Sequence, residues 1–229
     1  MLINGLQKMT LLDFPGKVAC TVFLAGCDFR CPYCHNYELV TGNEQVYMTD
    51  DEFFSFLRGR VHLLDGVAIT GGEPLMRKYL PGFIAKIRDL GFLVKLDTNG
   101  YHPDRLKELL DERLIDYIAM DIKNSPEKYQ LTAGIKDPDL SLIKKSISLI
   151  MESGVDYEFR TTVVKEFHSP SDFEAIGQLI VGAKRYYLQQ FVDRDTVPDR
   201  HLTSPSTDEM SNYLGTVQKY VANAELRGV

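Results

Sequence analysis

Strand-like apolar runs and amphipathic helical segments alternate along this chain of 229 residues, and the alternation constrains the fold more than any other feature. The runs recur about every 30 residues, which is the length of a strand–helix–strand unit in a parallel sheet. Crossovers between parallel strands are right-handed, so successive units build one sheet with helices outside it. Six units can be counted, fewer than the eight of a closed barrel. The sequence therefore predicts an α/β fold, a partial, open (β/α)6 barrel.

The units divide the chain into three parts, which we expect to form a single domain. Residues 1–17 are a lead-in, residues 18–192 carry the partial barrel, and residues 193–229 are a C-terminal extension. The predicted strands are Val18–Ala25, Gly66–Ile69, Phe92–Leu96, Ile115–Ile122, Tyr157–Val164 and Arg185–Val192. The extension is expected to hold a helix over Thr207–Val221 and a short strand at 225–227.

Three cysteines lie in the loop that follows the first predicted strand. Cys27, Cys31 and Cys34 are spaced C-x3-C-x2-C. Such thiolates can hold an iron–sulfur cluster, and three of them leave one iron open to another ligand. A zinc site is the alternative, although zinc usually takes two short pairs of ligands and no second pair follows here. A disulfide would leave the third thiol unpaired. Cys20 lies inside the apolar strand and is expected to be a core residue.

Polar or glycine-containing segments also stand at the ends of the next four predicted strands, where parallel α/β folds place their sites. They are Gly71, Gly72 and Glu73 after the second strand, Asp97 and Thr98 after the third, Asp121 and Lys123 at the end of the fourth, and Arg160 within the fifth. Each segment alone could be a turn or a surface pair. Their order at successive strand ends indicates one shared site.

The cysteine loop, with Tyr33 before its last cysteine, resembles that of the radical S-adenosylmethionine (SAM) enzymes. The ending Cys34-His35-Asn36 resembles the glycyl radical enzyme activating family within them. An Asp-x-Pro-Gly turn at 13–16 and the Gly-Gly-Glu, Asp-Thr-Asn-Gly and Asp-x-Lys segments extend the resemblance over nearly the whole chain. The resemblance implies a [4Fe–4S] cluster as the catalytic centre, held by the three cysteines, with SAM on the open iron.

The resemblance also implies how the first strand ends serve SAM. Tyr33 is expected to pack near the adenine, since its ring is flat and amphipathic. Gly71 and Gly72 are expected to let the backbone approach the ligand closely. Glu73 is expected to accept a charge-assisted hydrogen bond from the SAM ammonium.

The later strand ends are expected to complete the site. Lys123 would pair with the SAM carboxylate, and Asp121 would hold ribose hydroxyls or a cation. Asp97 and Thr98 would lie close to SAM and could help to hold a monovalent cation. Arg160 is expected to face the same pocket.

The histidines carry less information. His62, His102 and His201 have no motif around them and are expected to be surface or loop residues. His168 follows the fifth strand and is a candidate for the mouth of the pocket.

One departure from the resemblance bears on the partner. The activating enzyme of pyruvate formate-lyase carries a histidine near the end of the sixth strand, whereas this chain has Gln189-Gln190. The glutamines resemble the branch that activates anaerobic ribonucleoside-triphosphate reductase. No cysteine follows Cys34, so the second cluster domain of many activases is not expected, and an external flavodoxin or ferredoxin would deliver the electron.

The expected function is therefore reductive cleavage of SAM and formation of a glycyl radical on a partner enzyme. A radical SAM enzyme acting on a small molecule is one alternative, and a zinc-stabilised binding module without catalysis is another. The net charge of −6 argues against a nucleic-acid partner. No apolar run approaches the roughly 20 residues of a membrane span, and the start of the chain lacks a signal-peptide pattern. A cytoplasmic location is expected.

Overall fold

The computed structural model of the chain describes residues 2–41 and 46–228, and within them an eight-stranded sheet forms the centre of the molecule. The strands are β1 Leu2–Ile3, β2 Gly5–Thr10, β3 Ala19–Leu24, β4 Met48–Thr49, β5 Gly66–Gly71, β6 Leu93–Thr98, β7 Tyr117–Asp121, β8 Asp156–Val163, β9 Tyr186–Gln190 and β10 Ala224–Arg227. The sheet runs in the order β2-β3-β5-β6-β7-β8-β9-β10. β1 and β4 form a separate antiparallel pair.

The six predicted barrel strands are β3, β5, β6, β7, β8 and β9, and each is parallel to its neighbour. β10 adds a further parallel strand beside β9, which confirms the short strand expected in the C-terminal extension. β2 and β10 stand at opposite ends of the strand order. The predicted α/β fold, a partial open barrel, is confirmed.

The lead-in differs from its prediction because it contributes a strand. β2 pairs antiparallel with β3, with Gly5 opposite Phe23 and Thr10 opposite Ala19. Most β2 side chains are exposed or half-buried. An edge strand of this kind is held by its backbone hydrogen bonds, so its side chains carry little of the apolar pattern that reveals a strand in the sequence.

Helices connect the barrel strands, and the last described helix confirms the one expected in the C-terminal extension. They are α1 Tyr37–Thr41, α2 Asp50–Arg58, α3 Leu80–Asp89, α4 Pro103–Asp111, α5 Tyr129–Ala133, α6 Leu140–Glu152, α7 Pro170–Leu179 and α8 Thr207–Val217. α2 begins at a capping box in which the side chains of Thr49 and Glu52 each accept a hydrogen bond from the other residue's backbone. In the part of the chain that the structure describes, no helix is long and apolar enough to span a bilayer.

The barrel strands separate an apolar layer under the helices from a polar interior. In β6, Val94 and Leu96 are fully buried and belong to the main hydrophobic core. Lys95, which alternates with them, is also buried, and its ammonium contacts Asp97. Cys20 of β3 is fully buried in the core, so its predicted place is confirmed. The polar face of the strands therefore points into the barrel.

Candidate active site

A cavity of about 480 Å³ lies at the carboxyl ends of the parallel strands. This volume falls within the range of small-molecule sites. The predicted site residues that line it are Cys27, Cys31, Tyr33, Cys34, Gly71, Gly72, Asp97, Thr98, Asp121, Lys123 and Arg160. The motifs that are separated in the sequence therefore meet in one cavity, and of the predicted set only Glu73 is missing from its lining.

Glu73 is fully buried beside the cavity. Its Oε1 accepts hydrogen bonds from Leu75 N–H at 3.0 Å and from the Thr98 hydroxyl at 2.9 Å, and its Oε2 accepts one from Asn99 N–H at 2.6 Å. Burial raises the pKa of this carboxyl to about 7 although the three donors oppose the shift. The side chain ties the loop after β5 to the loop after β6, and its contact with a SAM ammonium stays a prediction.

Gly71 and Gly72 allow the loop after β5 to pack against the start of the cysteine loop. A Cβ on Gly71 would lie 2.3 Å from Leu24 O, and one on Gly72 would lie 2.1 Å from Gly26 O. Gly72 N–H and Glu73 N–H donate to these two carbonyl groups at 2.8 and 2.7 Å. In the structure the glycines are thus needed for contact between two backbone segments. Close approach to a ligand stays a prediction.

Two later parts of the chain hold the cysteine loop from other sides. Arg30 N–H donates at 2.8 Å to the carbonyl oxygen of Ala133, the last residue of α5. Asp199 N–H, in the segment between β9 and α8, donates to Pro32 O at 3.1 Å. The loop between the cysteines is therefore fixed by backbone bonds to two separate later segments.

The Cys-His-Asn ending anchors the loop to the barrel. His35 Nε2–H donates to Val192 O at 2.7 Å, and its ring stacks on Phe191 with centroids 5.8 Å apart. Asn36 Nδ2 donates to Gly71 O at 3.3 Å. His35 and Asn36 therefore have a structural role, because they attach the end of the cysteine loop to the segment after β9 and to β5.

The thiols of the loop are poorly solvated. Burial raises the pKa of Cys27 to about 12 and that of Cys31 to about 11, and it also raises the pKa of Cys34. The thiolate forms must then be stabilised by bonds to a metal. Within residues 2–41 and 46–228, no three His, Cys, Asp or Glu side chains are arranged around a point where a single ion could sit. A four-iron cube binds its thiolates at separate corners, so three cysteines along one cavity fit a cluster better than zinc.

Five charged side chains form a chain of ion pairs at the floor of the cavity. Arg160 Nε lies 2.9 Å from Asp121 Oδ1, and its NH1 lies 3.4 Å from Asp97 Oδ2. Lys123 Nζ lies 3.0 Å from Asp121 Oδ2, and the Lys95 ammonium contacts Asp97 Oδ1. Burial alone would raise the pKa of both carboxyls, but the cations outweigh it and hold both pKa values below their usual range. Three cations face two carboxylates, which suits a ligand with a carboxylate.

The sequence prediction missed Lys95 and Asn99. Lys95 stands two residues before Asp97 on one strand, and residues at this spacing share a face. Asn99 belongs to the Asp-Thr-Asn-Gly segment, for which roles are predicted only at Asp97 and Thr98. Its side chain contacts Cys27 and Asp28. An isolated lysine in an apolar strand was the available signal for the first residue.

The structure corrects the prediction for one histidine and shows an unpredicted contact for another. His168 is buried and its Nε2 lies 3.1 Å from Lys123 O, so the prediction that it stands at the pocket mouth is wrong. His102 does lie in a loop, but its Nε2 is 2.8 Å from Asp28 Oδ2. Hydrogen bonding to this carboxylate raises the pKa of His102. Both rings support residues of the site from behind.

Tyr33 and Gln189 also line the cavity. Tyr33 packs beside Phe167 with ring centroids 6.1 Å apart. Its hydroxyl is buried and has no hydrogen-bond partner among the residues that the structure describes, so it is a polar group that a ligand could satisfy. Gln190 turns the other way and donates to Pro205 O at 2.8 Å.

Known proteins resemble this chain in sequence and in fold. Residues 21–180 match the model of the radical SAM superfamily. The whole chain is 32% identical to 96% of a protein of Methanocaldococcus jannaschii that is provisionally named a glycyl-radical enzyme activating enzyme. Over 53% of its length it is 31% identical to 52% of the pyruvate formate-lyase-activating enzyme of Clostridium pasteurianum. The crystal structure of Streptococcus suis SuiB bound to S-adenosylmethionine superposes on 91% of this chain and 52% of that one, with a TM-score of 0.67 at 14% identity, a similarity of fold.

Proposed function

This chain belongs to the radical SAM superfamily and within it to the glycyl radical enzyme activating family, and from this membership we propose that it generates a glycyl radical on anaerobic ribonucleoside-triphosphate reductase. The cofactors of the family are a [4Fe–4S] cluster and SAM. When bound, they supply a one-electron route to abstraction of a hydrogen atom. The protein's own part is to hold both groups, orient them and keep water away.

The observation that carries the proposal is the sharing of one cavity by the cysteine loop and the chain of ion pairs. Cys27, Cys31 and Cys34 would hold the cluster at one side of this cavity. Lys123 and Arg160 would bind the carboxylate of SAM, since the cations there outnumber the carboxylates. A positively charged floor orients an amino-acid group toward the cysteines without any moving part.

The remaining side chains would receive the nucleoside part of SAM. The buried hydroxyl of Tyr33 is free for a polar group of the ligand within the described structure, and the ring would pack near the adenine. Asp121 lines the same cavity and could accept from ribose hydroxyls. Asp97 and Thr98 line the same side of the cavity. Glu73 would hold this side in place through its hydrogen bonds to Thr98 and Asn99.

A protein substrate is favoured by the exposure around the cysteine loop. Cys27, Cys34, His35 and Asn36 are half-buried and line the cavity, so the cluster side of the cavity opens to solvent. A glycine on a protein loop could reach it there. The choice of the anaerobic reductase as the partner is supported by Gln189, which lines the cavity where pyruvate formate-lyase activase is expected to have histidine.

The electron would come from another protein. No cysteine follows Cys34 in the sequence, so the chain offers no second group of thiolates for an internal cluster. We propose flavodoxin or ferredoxin as the donor, and the cytoplasm as the compartment where donor and partner are met.

The test is anaerobic incubation of the cluster-loaded enzyme with SAM, a reductant and one candidate partner at a time. Electron paramagnetic resonance (EPR) then detects a glycyl radical. We expect the radical on the anaerobic reductase and not on pyruvate formate-lyase, and no radical with the Cys27→Ala variant. A radical on pyruvate formate-lyase alone would refute the choice of partner. Turnover of a small metabolite with no radical on either protein would refute the activase function.

A further inference from the structure

The side chain of Asn99 is held at every polar atom. Its Oδ1 accepts a hydrogen bond from Tyr101 N–H at 2.9 Å. Its Nδ2 donates to Asp28 Oδ1 at 2.9 Å and lies 3.8 Å from the sulfur of Cys27. The residue is buried, and its backbone N–H is fixed on Glu73. The amide therefore has one defined place beside a cysteine of the loop.

The orientation of this amide follows from its neighbours. A backbone N–H can only donate, so the group facing Tyr101 must be the amide oxygen. An ionised carboxylate can only accept, so the group facing Asp28 must be the NH2. These two contacts agree, and they leave the second N–H of the amide for the Cys27 sulfur. Asn99 is thus a neutral N–H donor directed at the sulfur of Cys27.

Asp28 is itself fixed from the solvent side. Its second oxygen lies 2.8 Å from His102 Nε2, and the side chains of the two residues are 21% and 30% exposed. The His102 and Asn99 contacts hold the carboxylate from both sides. The carboxylate of Asp28 thus holds the buried amide of Asn99 beside the sulfur of Cys27.

We propose that Asn99 is a positioning residue that donates an N–H···S hydrogen bond to Cys27 and so raises the reduction potential of the cluster. Reduction adds negative charge that is spread over the cluster and its thiolates, and donors to the sulfur atoms stabilise the reduced form. The inference rests on the proposed assignment of Cys27 as a cluster ligand. It is independent of the partner protein and of the electron donor.

The test is an anaerobic redox titration of the cluster followed by EPR, in the absence of SAM so that contacts of Asn99 with SAM play no part. The variants are Asn99→Ala, which removes the amide, and Asn99→Asp, which keeps its shape and replaces the donor by an acceptor. Asn223→Ala is the control, since its amide donates to Lys184 O on an exposed segment. Iron and sulfide contents are measured for each protein.

We expect Asn99→Ala to retain the cluster with a midpoint potential more negative than that of the wild type. Asn99→Asp should be shifted further in the same direction, because a carboxylate adds negative charge beside the sulfur. Asn223→Ala should match the wild type. A potential that is unchanged or more positive in both Asn99 variants would refute the inference. Loss of iron from both would also refute it, because a donor that only tunes the potential is not needed for assembly.

A separate variant tests whether Cys27 is a cluster ligand, independently of the role of Asn99. Cys27→Ala should lose the cluster. If it instead keeps a full complement of iron, Cys27 is not a ligand, and both the assignment and the hydrogen bond built on it are refuted together. If Cys27→Ala loses iron while the Asn99 variants keep the wild-type potential, only the role of Asn99 is refuted.

Discussion

At the scale of single residues, burial does not distinguish the core cysteine from the three cysteines of the loop. Their location relative to the cavity does. Cys20, Cys27 and Cys31 all have pKa values raised by burial, so none of them is a thiolate at neutral pH without a metal. Only the three in the loop line the cavity. The difference between a core cysteine and a cluster ligand thus lies in what the sulfur faces.

This difference gives a direct prediction. Cys27→Ala, Cys31→Ala and Cys34→Ala should each lose the cluster, whereas Cys20→Ala should keep it because its sulfur is enclosed by the core. Iron content and the broad absorption near the violet end of the spectrum measure the outcome under anaerobic conditions. Equal loss of iron from the Cys20 variant would contradict the assignment.

Lys123 offers a test of SAM binding. Lys123→Met should retain the cluster and bind SAM more weakly by about 1.5–3 kcal/mol, the usual contribution of a hydrogen bond to a charged group. Lys107→Met is the matched control, because Lys107 pairs with Asp111 on the surface of α4. Calorimetric titration of SAM into cluster-loaded protein compares them. Equal affinities for all three proteins would remove Lys123 from the site.

His168 gives the unfolding free energy a pH dependence. Burial lowers its pKa from the ordinary value of 6.5, so the folded protein keeps the ring neutral at a pH where the unfolded chain protonates it. Stability from this residue is complete above about pH 6.5 and falls as the pH decreases below it. Urea unfolding of cluster-free protein at several pH values should therefore show a steeper loss of stability as the pH falls below about 6.5 for the wild type than for His168→Gln. Parallel curves would contradict the role of burial.

The role of a residue was predictable only where its place in a strand indicates which way its side chain points. Asp97 and Asp121 end strands of a parallel sheet, so their meeting at one edge follows from the topology. Glu73 stands at an equivalent strand end, yet it turns inward because three donors from two loops surround it. Those donors come from residues whose positions depend on loop geometry, and the sequence does not reveal that geometry.

At the scale of elements, the barrel strands and their helices were predictable because each has its own pattern. The six strands carry apolar residues in short runs or in alternation with polar ones, and α2 begins at a capping box that is visible in the sequence. β2 was missed because it is held by backbone pairing at the sheet edge. Elements that are defined by a partner strand carry a weaker pattern than elements that are defined by the core.

The contact between the loop after β5 and the cysteine loop can be tested with one methyl group. Gly72→Ala would place its Cβ 2.1 Å from Gly26 O, and overpacking of this kind typically costs about 1–3 kcal/mol. We expect lower stability and a reduced iron content. The measurements are urea unfolding of the cluster-free protein and iron content after reconstitution.

Gly82→Ala is the control for this substitution. Gly82 lies in α3, where an added Cβ meets nothing within 4 Å. The helix should gain about 0.5–1 kcal/mol from the change. If Gly72→Ala were as stable as Gly82→Ala and held as much iron, the close packing of the two loops would not be required for stability or for cluster binding.

At the scale of the whole molecule, the substrate is the least predictable property. The strand ends define where SAM and the cluster belong, but the partner must fit the rim of the cavity, and the rim is formed by connecting segments. The segment between β9 and α8 belongs to this rim, since Arg194 lines the cavity and Asp199 bonds to the cysteine loop. Their positions follow from packing against the cysteine loop, which the sequence pattern does not reveal.

The protein-substrate hypothesis predicts a labelled product. A peptide that spans the partner's glycine, with deuterium on the glycine Cα, should transfer deuterium into 5′-deoxyadenosine under reducing conditions. Turnover should be weaker than with the full partner, because a free peptide loses conformational entropy when it is ordered. Mass spectrometry of the nucleoside measures the transfer. Turnover that leaves the product unlabelled would contradict abstraction from that glycine.

The backbone bonds around the cysteine loop also set an order of events during synthesis. The loop is complete by Cys34, but the groups that hold it come from Glu73, Ala133 and Asp199. A ribosome builds the chain from its N-terminus, so the cysteines emerge long before the segments that fix their loop. The full set of bonds that fixes the loop can therefore form only after Asp199 has been synthesised, and we expect loading with iron and sulfide to follow the synthesis of that segment.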